Sequence, residues 1–105
     1  DAKESLLKNY FLLQQYSDAE RTARKILNIS PMNYSARYCL AQLALVNLNY
    51  TEMEFQLKKI TQLFPSDFSA NNLLLQCYNY QNNKNKAKDV EKFLNRLYPN
   101  RNEKK

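Results

Sequence analysis

Glycine and histidine are both absent from the 105 residues of this chain, as is tryptophan. Without glycine there is no phosphate-cradling loop, no dinucleotide fingerprint and no nucleophile elbow. Without histidine the commonest general base and the commonest transition-metal ligand are missing, so a Ser/His or Cys/His catalytic pair is excluded. Zinc would have to rest on two cysteines plus carboxylates, an unusual donor set. No nucleophile–base pair or paired-carboxylate constellation is visible, so the chain reads as a non-enzyme that needs no cofactor and no metal. No apolar run is long enough to span a bilayer.

Cysteine and proline are scarce. Cys39 and Cys77 fall on different predicted helices, where a disulfide would need Cα atoms within about 7 Å. The favoured reading is two semi-buried free thiols. The three prolines are Pro31, Pro65 and Pro99, spaced 34 residues apart twice. Proline stops helices because it lacks an N–H and disfavours helix in the residue before it. A helix stop at a fixed interval implies one repeated unit.

Other positions keep the interval. Ser17, Thr51 and Asn85 are candidate N-caps, and Ser17–Glu20 and Thr51–Glu54 have capping-box spacing. Leu6, Leu40 and Leu74 share one phase; Ile26, Ile60 and Leu94 share another. Asn33 and Asp67 cap the second and third units, each followed by an aromatic residue. The apolar spacing predicts helices at 3–15, 18–30, 34–47, 51–64, 68–81 and 85–98. Almost no β signal is present, so the expected fold is all-α. Leu6, Leu7 and Tyr10 keep helical spacing from the outset, and the chain reads as a segment of a larger protein.

A 34-residue helix–turn–helix unit, with alanine early in the second helix and proline closing the unit, resembles the tetratricopeptide repeat family. The resemblance covers units 1–33, 34–67 and 68–101, with 102–105 as a tail. The repeats are divergent. Only Leu40-Ala41 has the small residue that the family places after leucine, against Leu6-Leu7 and Leu74-Leu75. The first-helix tryptophan is missing everywhere.

The resemblance implies a right-handed helical solenoid of three antiparallel helix pairs. It also implies a concave groove, lined by the first helix of each unit, that holds a peptide or helix of a partner protein. The groove residues it implies are Glu4, Lys8, Phe11 and Leu12; Tyr38, Gln42, Leu45 and Val46; and Asn72, Gln76, Asn79 and Tyr80. Amides can pair with a ligand's backbone, and the aromatic rings are rigid anchors. Leu12, Leu45 and Val46 read equally as core. With Lys8 as the one cation among the matching positions, no clamp for a chaperone tail's terminal carboxylate is expected.

Net charge is +6, unevenly placed. Residues 1–33 carry five basic and four acidic groups, residues 34–67 three of each, and residues 68–105 eight and three. Lys84, Lys88, Lys92 and Arg96 follow one another at four-residue spacing, a single helical stripe. Such a stripe is most simply a solvated outer face, and it could also attract an acidic protein, RNA or an anionic membrane surface. An RNA-reading pentatricopeptide array ranks below the protein-binding reading, because the strict 34-residue interval and the proline placement fit the latter. Oligomerisation through the end faces is a further alternative. Phe55 lies off the apolar stripe of its helix and is expected to pack on the following unit. Asn33-Tyr34-Ser35 and Asn49-Tyr50-Thr51 fit the N-glycosylation acceptor pattern, but both fall near helix starts, where the asparagines have capping uses.

Overall fold

The computed structural model describes residues 2–100, and side chains from Ser5 onward. These residues form six helices and no strand: α1 (Ala2–Leu12), α2 (Tyr16–Ile29), α3 (Tyr34–Val46), α4 (Tyr50–Leu63), α5 (Phe68–Tyr80) and α6 (Lys84–Leu97). Each helix packs on the next in sequence, and α1 also meets α3.

The turns explain where the helices stop. Gln14, Leu48 and Asn82 have φ of 60°, 58° and 58°, the left-handed region, and they too lie 34 residues apart. Each follows the end of a first helix. The Gln14, Leu48 and Asn82 N–H groups donate to Phe11, Leu45 and Asn79 O. The Gln15, Asn49 and Asn83 N–H groups donate five residues back, to Tyr10, Ala44 and Tyr78 O. This is the Schellman closure, which satisfies the last carbonyls of a helix. Glycine normally fills the left-handed position, since other residues lose about 1–2 kcal/mol there. With none in the chain, a glutamine, a leucine and an asparagine do so.

The same closure corrects the expected caps. Gln15, Asn49 and Asn83 end one motif and begin the next helix, so α2, α4 and α6 start earlier than the spacing of Ser17, Thr51 and Asn85 predicted. Asn49 accepts from the Glu52 N–H at 3.2 Å and Asn83 from the Lys86 N–H at 3.3 Å. Gln15 makes no side-chain cap bond. Ser17, Thr51 and Asn85 lie inside the first turn, and the expected capping boxes do not form. Glu20 pairs instead with Arg24 at 3.1 Å. Asn33 and Asp67 do cap α3 and α5, accepting from the Ala36 N–H at 2.9 Å and the Ala70 N–H at 2.8 Å.

The proline turns match each other as well. Asn33 N–H donates to Ser30 O and Asp67 N–H to Phe64 O, with Pro31 and Pro65 next to the accepting residue, where their fixed φ suits a turn. Arg37 and Asn71, 34 residues apart, each donate to the proline carbonyl of the turn before them, at 3.2 and 2.9 Å. Tyr34 meets Phe64 edge-on at 5.9 Å, and Phe68 meets Tyr98 edge-on at 5.2 Å.

Two apolar clusters run along the molecule. One joins Leu7, Ala19, Ala23 and Ile26 to Ala36, Cys39, Leu40 and Leu43. The other joins Ala41 and Ala44 through Met53, Leu57 and Ile60 to Leu74, Cys77, Tyr78 and Ala87. Small residues at Ala19, Ala23, Ala36 and Ala70, all fully buried, let the helices approach. Both cysteines are free and buried, and burial pushes each thiol up to about 11. Phe55 does not pack on the following unit. It is 50% exposed, with the Lys59 ammonium over its ring at 5.4 Å. It sits beside the stripe of Met53, Leu57 and Ile60, which fills the contact with α5 without it.

Candidate groove between the first helices

Four of the eight predicted groove residues come together. Lys8 and Phe11 on α1 and Tyr38 and Gln42 on α3 line one groove of about 530 Å3. Leu12 forms part of its rim and is largely exposed. The packing of α1 on α3 builds the groove, with Leu7 and Cys39 as its buried floor.

The other four predicted residues lie elsewhere. Asn72, Gln76, Asn79 and Tyr80 are on α5 and do not line this groove. Asn72 is half-buried; Gln76, Asn79 and Tyr80 are exposed, and Tyr80 stacks on Tyr50 at 5.4 Å. Leu45 is partly buried against the core, while Val46 is exposed. The Glu4 side chain lies outside the described residues.

Tyr34 and Ser35, in the first turn of α3, line the groove and were not among the predicted residues. The signal for Tyr34 was its four-residue spacing from Tyr38, which puts the two rings on one helix face. They stack at 5.7 Å with planes 8° apart. The Tyr34 hydroxyl donates to Asp67 Oδ2 at 2.7 Å, across to the cap of α5. Burial, then the hydrogen bond to Asp67, raises the pKa of Tyr34 well above the usual phenol range. Burial, then the Asp67 charge, also raises that of Tyr38. Both rings are therefore neutral phenols at physiological pH.

The groove thus offers apolar and aromatic walls, one amide and one exposed cation. Apolar walls with a few polar groups suit a peptide's side chains and main chain better than a charged metabolite. Among the described residues no group of three or more Cys, Asp or Glu side chains is placed to hold a metal ion. No described helix is long and apolar enough to cross a membrane.

The predicted basic stripe is also on the surface. Lys84, Lys88, Lys92 and Arg96 are all exposed on α6, on the side away from buried Ala87 and Leu94. The Arg96 guanidinium lies over the Phe93 ring at 5.6 Å. No protein-family model matches the chain, and no curated protein matches it.

Proposed function

We propose that the chain is a tetratricopeptide-like interaction module: a right-handed solenoid of three antiparallel helix pairs that holds a peptide or helix of a partner protein. Its role is that of a scaffold or adaptor. The observation that carries this reading is the groove between α1 and α3, where Lys8, Phe11, Tyr38 and Gln42 converge. The 34-residue recurrence of the left-handed residues, the proline turns and the proline-carbonyl ties supports the repeat architecture. Phe11 and Tyr38 supply rigid contact area, Gln42 supplies a main-chain-like donor and acceptor, and Lys8 selects against cationic partners. No catalytic role and no cofactor are assigned.

Selection of binders from a random displayed-peptide library tests the reading. Selected peptides should lose about tenfold or more in affinity, roughly 1.4 kcal/mol, when Lys8→Ala and Gln42→Ala are combined. Peptides that bind the double variant as well as the parent chain would remove the groove from consideration.

A specific observation favours assembly as a second reading. Leu6 is 43% exposed, whereas its counterparts Leu40 and Leu74 are buried beneath α2 and α4. Solution mass separates the two readings: a monomer at all concentrations disfavours assembly.

A further inference from the structure

One row of the second helices changes sign along the chain. Positions 20, 54 and 88 lie 34 apart, as do 24, 58 and 92. In α2 the pair is Glu20 and Arg24, joined at 3.1 Å. In α4 it is Glu54 and Lys58, joined at 3.8 Å. In α6 it is Lys88 and Lys92, two like charges that repel at this spacing. The flanking positions change in the same direction. Tyr16 and Tyr50 give way to Lys84, and Asn28 and Gln62 to Arg96.

The α4 copy of this row shows what it is for. Glu54 accepts from the Tyr78 hydroxyl at 3.0 Å, and Tyr78 belongs to α5, the helix lying on α4. Tyr50 stacks on Tyr80 of the same helix. The row is therefore one edge of the surface on which a second helix receives a first helix. In α6 that edge is cationic. The acids of α6 do not neutralise it: among the described residues no ion pair joins Asp89 or Glu91 to Lys84, Lys88, Lys92 or Arg96. Basic residues elsewhere are paired, as in Arg21 with Asp18, Arg24 with Glu20 and Glu52, and Lys86 with Glu54.

We infer that the Lys84–Lys88–Lys92–Arg96 edge of α6 docks an acidic α-helix of a partner protein, laid on α6 as α5 lies on α4. Charge complementarity selects the occupant. The four cations repeat every four residues, about 6 Å along the axis, and carboxylates spaced four apart on a facing helix repeat at the same interval. This surface is separate from the groove between α1 and α3, and the inference does not depend on that groove's ligand.

The probe is a synthetic alanine-rich helix with glutamates at four-residue spacing, beside the same helix with glutamines. Amide shifts of the whole chain are followed by NMR at low and high salt. The glutamate helix should shift residues along 84–96 and should weaken steeply as salt rises. Lys88→Glu restores the Glu–Lys pair of α2 and α4 at an exposed position, and should weaken the glutamate helix by about tenfold or more. Lys92→Glu should do the same. Equal binding of the glutamine helix, or unchanged binding by both variants, would overturn the inference. So would tighter binding of single-stranded RNA or anionic vesicles than of the glutamate helix, since either would make the edge a general polyanion surface.

Discussion

Helices α4 and α6 hold the same place in successive 34-residue intervals and have the same length of 14 residues. Only α4 carries another helix along its far side. Leu57, on the side of α4 facing α5, is fully buried among Leu74, Cys77 and Tyr78. Its counterpart on α6 is Glu91, and the counterpart of Glu54 is Lys88. Identical backbone geometry thus serves as core in one copy and as a charged surface in the next. The repeat fixes where a helix can be received, and the side chains decide whether the receiving face is apolar or cationic.

Four predictions can break or sharpen this contrast. The largest effect belongs to the buried copy. Leu57→Ala should destabilise the fold by about 2–5 kcal/mol, because the cavity beneath α5 cannot close fully. Glu91→Ala should cost about 1 kcal/mol or less. Denaturant midpoints check both, and equal losses would abolish the distinction between the two helices.

Tyr78→Phe should cost about 1–2 kcal/mol, since it removes a hydrogen bond to the Glu54 carboxylate. The pH dependence carries the same information. The pKa of Tyr78 is raised, first by burial and then by Glu54, above its ordinary value of 10.0. The unfolded chain releases that proton earlier than the folded one. Stability is therefore fully present below pH 10 and falls as pH rises beyond it. Tyr34 and Tyr38 act in the same direction. Tyr78→Phe should flatten the alkaline decline without abolishing it.

The turns before α4 and α6 provide a smaller effect. Leu48 is left-handed and 68% exposed, so Leu48→Gly should stabilise by about 1 kcal/mol while losing little packing. Asn82→Gly, before α6, should gain less, because asparagine tolerates this conformation better than leucine. Lys88→Glu should change stability least, within about 0.5 kcal/mol, as expected of an exposed side chain. A large loss on that substitution would show that Lys88 is structural.

Much of the fold could be read from the chain before its structure. Six helices follow from apolar spacing, and the proline stops and the caps at Asn33 and Asp67 are where the spacing placed them. The starts of α2, α4 and α6 were placed late for a definite reason. Ser17 and Thr51 are better N-cap residues by type than Gln15, and no glycine marks Gln14, Leu48 or Asn82 as left-handed. A Schellman closure without glycine leaves no residue-type signal. The groove was half legible: Lys8, Phe11, Tyr38 and Gln42 converge, while Asn72, Gln76, Asn79 and Tyr80 do not reach them. Repeat register places residues on equivalent faces, but a shared groove also needs the first helices to meet, as α1 and α3 do. The inversion from Glu20 and Glu54 to Lys88 emerges only when the three second helices are aligned and their ion pairs are seen.

The most direct test of the central claim is the footprint of a library-selected peptide, mapped by NMR amide shifts across the whole chain. The account predicts shifts centred on Lys8, Phe11, Tyr38 and Gln42 that persist at high salt, with the 84–96 edge unmoved. A footprint confined to α6 that vanishes as salt rises would contradict it.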